Sequence, residues 1–298
     1  MKTEITATDD GLRVDNVIRR VHRNVSYAFL QKIFRAGKVK IENRSVAASH
    51  RIRAGDVISI YANLPPSGEA TTIPDPNSDY AQKLRLQFKS MIIFENKDII
   101  AINKPARLAV QMGTKVPICV ETLAGLYQTS PEDSCRLVHR IDKDTSGVLL
   151  LAKNLATARI ITELFRENRM EKTYLAVVAG KISGSGVMDA PMQDGDRKLP
   201  AVTFYRSLKS SNNYSLLELK PRSGRKHQLR IHCANLLQAP ICGDVKYGDA
   251  SKSGELLLHA SRIRSESIPL DVAAELPEYF VKFLADNFGP GADFSQGK

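Results

Sequence analysis

The sequence predicts an α+β protein with two domains, the larger of which is built on a mixed, mostly antiparallel sheet. The first observation is a set of short apolar runs, typical of strands, that recur from residue 91 onward and are joined by short turns. The second is that segments with helical spacing interrupt these runs. The third is a stretch at residues 65–80 that holds four prolines and lacks apolar periodicity, as expected of a linker. A chain of 298 residues is long enough for two domains.

The smaller domain is predicted at residues 11–64 as a helix–helix–strand unit. Its first helix is marked by four apolar residues at helical spacing. Ser26 can cap a second helix, and Gly37 is placed to end it. Strands are then expected at residues 39–41 and 57–61. A unit of this size forms only a small core, so we expect it to accompany a larger domain.

Excess positive charge is concentrated in this smaller domain. The whole chain carries a net charge of +11, while residues 11–62 alone hold eleven bases and three acids, a net charge of +8. This concentration is typical of a protein that binds a polyanion such as RNA, although a merely solvated basic face has the same composition. The bases predicted to contact RNA are Arg19, Arg20, Lys32, Arg35, Lys38 and Lys40.

The larger domain is predicted at residues 81–290, with a flexible tail at residues 291–298. Its strands are expected at residues 91–94, 99–102, 136–141, 148–153, 173–178, 214–220 and 256–259. Its helices are expected at residues 155–165, 226–237 and 276–284.

The composition argues against several classes of protein. No apolar run approaches the roughly 18 residues that span a bilayer, so no membrane partner is expected. The N-terminus carries acids and has no apolar core, which is unlike a signal peptide and favours a cytoplasmic location. The four cysteines include no C-x-x-C pair, so neither a zinc knuckle nor a redox dithiol is indicated. We expect a monomer that needs no metal and no other cofactor.

A turn-rich loop with the sequence L-V-H-R-I-D-K-D-T-S-G at residues 137–147 places Asp142 and Asp144 beside basic residues. A loop held between strands is suited to presenting a reactive side chain. The D-x-D-x-S-G spacing also begins like a calcium loop, but its twelfth position is Lys153, where a bidentate Glu is required. A two-carboxylate glycosidase site and a turn stabilised by its own Asp, Thr and Ser side chains remain alternatives at this point.

A second cluster, S-G-R-K-H-Q-L-R-I-H at residues 223–232, joins a glycine-containing entry to a basic helix. His227 and His232 are five residues apart with no Glu between them, which differs from the H-E-x-x-H zinc pattern. A solvated basic helix face is the alternative interpretation of this cluster.

Taken together, these clusters resemble the motifs of the RluA-type pseudouridine synthases. The family signature H-R-L-D-x-D-T-S-G is similar to H-R-I-D-K-D-T-S-G at residues 139–147. Four further motifs follow in the family's order: K-T-Y-L-A at residues 172–176, G-R-K-H-Q-L-R-I-H at 224–232, the run at 240–248 that resembles P-I-x-G-D-x-x-Y-G, and L-H-A at 258–260. The resemblance covers roughly residues 91–288.

The small domain is similar to the alpha-L RNA-binding domain named for ribosomal small-subunit protein four. The combination most resembles the RluC-like branch, whose members act on large-subunit ribosomal RNA. One departure is that the family's K-P-x-G near the first strand reads Lys104-Pro105-Ala106-Arg107. The missing glycine is expected to change a loop near the RNA without removing a catalytic group.

The resemblance implies the pseudouridine synthase fold and the cofactor-free isomerisation of uridine to its carbon-linked isomer. It implies that Asp142 is the catalytic carboxylate, either as a nucleophile at the anomeric carbon or as a base at the neighbouring ribose carbon. It also implies that Tyr174 stacks on the uracil, that Arg230 is the paired basic residue, and that Arg140 fills the stack vacated by the flipped uridine. The alternative from another class is a non-catalytic RNA-binding factor on the same scaffold.

Overall fold

The computed structural model describes residues 3–7, 10–22, 25, 27–64, 77–111, 118–128, 135–195, 197–249 and 254–289. These residues fall into two compact units that divide between Ala81 and Gln82. Ser26, residues 65–76 of the predicted linker and the predicted tail at residues 291–298 lie outside the described residues.

The first unit is a four-stranded antiparallel sheet with two helices. Its elements are β1 (Thr3–Thr6), α1 (Val14–Val21), α2 (Tyr27–Arg35), β2 (Val39–Ile41), β3 (Arg44–Ser45) and β4 (Val57–Ile60). The strand order is β1-β4-β2-β3. Val14, Ile18 and Leu30 from the helices pack with Ile58 and Ile60 of β4 in a fully buried core.

Both predicted helices and both predicted strands of this unit are confirmed, and α2 ends just before Gly37, which has a φ of +64°. The sequence analysis missed β1 and β3. The first is a four-residue strand that pairs along its whole length with β4, and the second is a two-residue strand whose residues are exposed. Neither strand is long or apolar enough to give a clear alternation pattern.

The second unit begins within a helix, because the division between Ala81 and Gln82 falls inside it. Its elements are α3 (Asp79–Met91), β5 (Ile92–Glu95), β6 (Ile99–Lys104), α4 (Val120–Tyr127), β7 (Arg136–Leu137), β8 (Ser146–Ala152), α5 (Leu155–Arg166), β9 (Glu171–Ala179), β10 (Ser185–Asp189), β11 (Met192–Asp194), β12 (Arg197–Leu199), β13 (Val202–Ser210), β14 (Tyr214–Pro221), α6 (Gln228–Asn235), β15 (Leu258–Ser265), β16 (Leu270–Ala273) and α7 (Glu278–Phe288).

A ten-stranded mixed sheet organises this unit. Eight strands follow the order β10-β13-β14-β9-β15-β8-β6-β5, while β16 pairs with β15 and β7 pairs with β8. Within this sheet the parallel pairing is that of β8 with β15, and the other pairs are antiparallel. The α+β class and the mostly antiparallel sheet are therefore confirmed. Every residue of β8 is buried, as expected for a central strand.

The sequence predictions for this unit were wrong at several boundaries. The strand predicted at residues 136–141 ends at Leu137, because the chain then leaves the sheet as a loop. The helix predicted to begin at residue 226 begins at Gln228, because His227 has a left-handed backbone conformation with a φ of +56°. The helix α3 begins at Asp79, inside the predicted linker.

At Gly147, β8 and β15 approach each other closely. This glycine pairs with Ala260 in the parallel register and has a φ of +110°. A Cβ atom at Gly147 would lie 2.2 Å from the carbonyl oxygen of Ala260 and 2.7 Å from its backbone nitrogen. Only glycine fits here, because the obstructing atoms are backbone atoms of a buried strand.

We therefore expect Gly147→Ala to destabilise the protein far more than a glycine substitution at a similar φ elsewhere. Gly180, with a φ of +98° and no atom near its missing Cβ, is the matched control. Gly180→Ala should lower the free energy of unfolding by about 1–2 kcal/mol through backbone strain alone. Gly147→Ala should lower it by about 2 kcal/mol more, because the strands must also separate. Urea denaturation measures both, and equal losses would contradict the close approach.

Candidate active site

The loop at residues 138–145 connects β7 to β8 and carries Asp142. We call it the catalytic loop, because Asp142 is the predicted catalytic residue. The side chain of Asp142 is 19% exposed. Its backbone oxygen accepts a hydrogen bond from the backbone nitrogen of Thr145, which closes a turn. Thr145 is buried, so the turn is anchored on the sheet while the Asp142 carboxylate stays accessible.

Lys104, at the end of β6, is hydrogen-bonded to this loop. Its side chain is fully buried, and Nζ donates to the backbone oxygens of Pro105, Leu108 and Lys143 at 2.8, 2.8 and 2.9 Å. Burial lowers the pKa of Lys104 to about 7, although the negative charges of Asp144 and Asp142 oppose this shift. Lys104 thus ties the residue after Asp142 to the turn that follows β6.

A second set of hydrogen bonds supports the loop where it enters β8. Ser146 Oγ lies 2.9 Å from His259 Nδ1, and His259 Nε2 lies 3.2 Å from the backbone oxygen of Ala274. Because a carbonyl can only accept, Nε2 carries the proton and Nδ1 accepts from Ser146. Tyr279 in turn donates to Ser146 Oγ at 3.3 Å. Burial lowers the pKa of His259 to about 4, which keeps the ring neutral in this arrangement.

His139 anchors the other end of the loop. Its Nε2 accepts a 2.8 Å hydrogen bond from the backbone nitrogen of Leu150, and its ring stacks on Phe165 with centroids 4.5 Å apart. Burial lowers the pKa of His139 to about 3, so the ring is neutral. The neighbouring Arg140 is exposed. The H-R pair of the motif therefore divides into a half-buried anchor and an exposed arginine.

Tyr174 on β9 reaches the same end of the sheet, because it pairs with Ala260 of β15, which also pairs with Gly147 at the start of β8. Burial raises the pKa of Tyr174 above its usual range, and the negative charge of Asp142 raises it further. The phenol is therefore neutral beside the carboxylate. This proximity brings together two residues that lie in separate motifs of the sequence.

Arg230 on α6 is held by a buried carboxylate. Its Nε and Nη2 donate to Asp244 Oδ2 and Oδ1, both at 2.7 Å. Asp244 Oδ1 also accepts from the backbone nitrogens of Lys246 and Tyr247 at 3.0 Å. Burial lowers the pKa of Arg230, but the hydrogen bonds from Arg230 to Asp244 and the charges of Asp244 and Asp142 outweigh it and raise the pKa. Arg230 thus forms its ion pair with Asp244 and influences Asp142 through its charge.

His227, just before α6, is a site residue to which the sequence analysis gave no role. Its Nε2 lies 3.9 Å from Asp142 Oδ1, and its Nδ1 lies 2.8 Å from the hydroxyl oxygen of Tyr247. Burial lowers the pKa of His227, while the charge of Asp142 opposes the shift and that of Arg230 adds to it. The signal was available, because His227 stands inside the motif at residues 224–232.

Lys104 and Asp244 were also given no role, although both lie within quoted motifs. Arg107 occupies the position where the family has glycine, and its φ of +66° lies in the left-handed region that favours glycine. Its guanidinium pairs with Glu255 at 2.8 Å. The local backbone has therefore kept the conformation suited to glycine despite the arginine.

The basic residues predicted to contact RNA lie in the first unit. Lys32, Arg35 and Lys38 are exposed, and Lys40 is half-buried with Nζ 5.4 Å from the centroid of the Tyr61 ring. The side chains of Arg19 and Arg20 lie outside the described part of the chain.

Within the described part of the chain, no three His, Cys, Asp or Glu side chains are grouped as they would be around a metal ion. Among the same residues, no helix is both long and apolar enough to cross a membrane.

Comparison with known proteins agrees with the motifs. Residues 98–235 match a family model described as RNA pseudouridylate synthase. A protein from Rickettsia bellii named ribosomal large subunit pseudouridine synthase C is 36% identical, covering 90% of this chain and 95% of its own. A protein of the same name from Escherichia coli is 32% identical, covering 84% of this chain and 82% of its own.

A solved structure supports the same assignment. Human RNA pseudouridylate synthase domain containing 4 is 28% identical, with a TM-score of 0.59, and the alignment covers 68% of this chain and 96% of the human one. The catalytic loop, Tyr174 and α6 all lie within the matched region at residues 98–235. The chain belongs to the RluA-type pseudouridine synthase family and is an RNA uridine isomerase.

Proposed function

We propose that this protein converts specific uridines of large-subunit ribosomal RNA to pseudouridine in the cytoplasm, with Asp142 as the catalytic carboxylate. The observation that carries the role of Asp142 is that its Oδ1 lies 3.9 Å from His227 Nε2 while its side chain stays 19% exposed. Tyr174 reaches the same end of the sheet, because it pairs with Ala260, which also pairs with Gly147. Arg230 is already bonded to Asp244, so the Asp142 carboxylate is left available to a substrate. The RNA class rests on the names of the relatives and on the basic first unit.

The isomerisation breaks the bond from uracil N1 to the anomeric carbon and forms a bond from C5 to that carbon. C5 loses a proton and N1 gains one, so the overall reaction consumes no other reactant. The ionised Asp142 acts either at C1′ as a nucleophile or at C2′ as a base. Both roles leave the other site residues with the task of holding the nucleoside in one orientation.

The remaining motif residues have roles that fit their surroundings. Tyr174 presents a neutral ring beside the carboxylate, as needed to stack on a flipped uracil. The exposed Arg140 can fill the gap that the flipped uridine leaves in the RNA helix. This contact offsets part of the few kcal/mol that flipping costs. The first unit, as an alpha-L RNA-binding domain, would add phosphate contacts through its exposed bases.

The proposed substrate is tested by mapping pseudouridines in large-subunit ribosomal RNA from cells with and without this protein. Specific sites should lose the modification when the gene is deleted and regain it with the wild-type gene. The same sites should stay unmodified when the restored gene encodes Asp142→Asn. An unchanged map would contradict the proposal, whereas modification lost from another RNA class would redirect it.

The two acids of the catalytic loop should differ sharply in their importance. Asp142→Asn should abolish turnover, because an amide is neither an adequate nucleophile nor a base here. Asp144→Asn should keep measurable activity, because Asn can make similar hydrogen bonds within the turn. Single-turnover assays on RNA containing a mapped site compare the two variants, with thermal melting as the control for folding.

The alternatives predict other outcomes for this pair. A two-carboxylate mechanism predicts that both substitutions are fatal, and a non-catalytic RNA-binding factor predicts that neither alters pseudouridine content. RNA affinity should survive Asp142→Asn, since it comes mainly from phosphate contacts. A fully active Asp142→Asn protein would refute the catalytic role.

The exposed bases of the first unit should account for part of the salt dependence of RNA binding. Replacing Lys32, Arg35 and Lys38 by Gln should reduce the slope of log affinity against log salt by about 2, at about 0.7 per contact on single-stranded RNA. The control variant replaces the exposed Lys83, Lys89 and Arg159 of the second unit and makes the same change in net charge. Equal slopes in the two variants would show that only net charge matters.

A further inference from the structure

The ring of His227 is held by Tyr247, which in turn contacts the buried Arg230–Asp244 ion pair. Its Nδ1 is 2.8 Å from the Tyr247 hydroxyl, and the two rings meet edge to face with centroids 5.6 Å apart. Tyr247 is fixed in turn, because its backbone nitrogen donates to Asp244 Oδ1 and its ring lies 5.2 Å from the Arg230 guanidinium. The free nitrogen of His227 is therefore set at a defined position within the site.

That free nitrogen, Nε2, faces the catalytic carboxylate at 3.9 Å from Asp142 Oδ1. This distance is too long for a direct hydrogen bond. Burial lowers the pKa of His227, so the ring is neutral and has one donor and one acceptor. A bare nitrogen lone pair facing a carboxylate would be repelled by it. We therefore assign the proton to Nε2, and the Tyr247 hydroxyl then donates to Nδ1.

A single hydroxyl oxygen fits between the two groups. Hydrogen bonds of about 2.8 Å from one oxygen to two atoms separated by this distance meet at an angle of about 90°, which a hydroxyl accommodates. A hydroxyl has one donor and two lone pairs. It can donate to the ionised Asp142 and accept from His227 Nε2 at the same time. A carbonyl cannot donate to Asp142, and an ammonium group cannot accept from His227, so neither could satisfy both partners in this way.

We propose that His227 and Asp142 together hold the 2′-hydroxyl of the target uridine. This inference rests on the proposed function, because it concerns the same nucleoside. Of the two carbons at which Asp142 is considered to act, C2′ carries O2′ and C1′ is bonded to C2′. The contact would orient Asp142 toward these carbons and would let the site distinguish RNA from DNA at the target position. His227 is thus assigned as a substrate-contacting residue.

A cycle of two changes tests the contact. One change is His227→Asn, chosen because Asn tolerates the left-handed backbone at this position while its shorter side chain cannot reach O2′. The other is 2′-deoxyuridine at the mapped target position of an otherwise all-ribose RNA oligonucleotide. Single-turnover rates are measured for the four combinations of wild-type or variant protein with uridine or deoxyuridine RNA. Equilibrium affinities are measured for the same four combinations, so that the test also works if the deoxyuridine RNA reacts too slowly.

The two changes should not add. His227→Asn alone is expected to reduce the rate or the affinity about tenfold, the equivalent of one hydrogen bond, and 2′-deoxyuridine alone by more, because it also removes the bond to Asp142. Together they should cost little more than 2′-deoxyuridine alone, because the substitution then has no further contact to remove. Fully multiplicative losses in rate and affinity would overturn the proposal and leave His227 as a support for Asp142 only.

Two further variants sharpen the result. Lys226→Gln changes the exposed neighbour of His227 and should weaken the binding of the uridine RNA and of the deoxyuridine RNA by the same factor. Tyr247→Phe removes the hydroxyl that fixes the tautomer, so part of the preference for the 2′-hydroxyl should be lost. If the wild-type protein forms no pseudouridine in the all-ribose RNA, the proposed function fails, which is an outcome separate from a multiplicative cycle.

Discussion

The close approach of β8 to β15 at Gly147 is the constraint on which the active site depends. The two strands run parallel at Gly147 and leave no room for a Cβ atom there, so the entry of the chain into β8 is fixed against β15. Asp142 lies on the loop that leads into this entry, five residues before the glycine. The D-x-D-x-S-G sequence therefore forms the entry into β8, and the position of Asp142 depends on how closely β8 and β15 pack.

Three side chains hold that loop in place by hydrogen bonds. Lys104 is hydrogen-bonded to the backbone just after Asp142. His139 is hydrogen-bonded to the backbone of β8, and Ser146 to His259 of β15. The strands that supply these partners are β6, β8 and β15, which are adjacent in the sheet. The loop is thus fixed by hydrogen bonds to consecutive strands, which suits the proposed action of Asp142 at one carbon of a flipped nucleoside.

Much of this arrangement could be predicted from the sequence, and the remainder depended on tertiary contacts. The central strand β8 and the helices α1 and α2 have clear apolar periodicity, and the motifs placed Asp142, Tyr174 and Arg230 in one site. The motifs could not show that Arg230 forms its ion pair with Asp244, fourteen residues later, because that pairing depends on how the chain folds back after α6. The short strand β3 and the left-handed His227 were missed because neither has a periodic signal.

The neutrality of the rings in the second unit fits the chemistry of an isomerisation. Burial holds His139, His227 and His259 in the uncharged form, so each can donate and accept at fixed nitrogens. An isomerase that moves one proton from C5 to N1 within its substrate needs no side chain that changes charge over the whole cycle. Beside Asp142, the Arg230–Asp244 ion pair adds no net charge of its own. Under the proposed function, the Asp142 carboxylate is the group that distinguishes this site from one that only binds RNA.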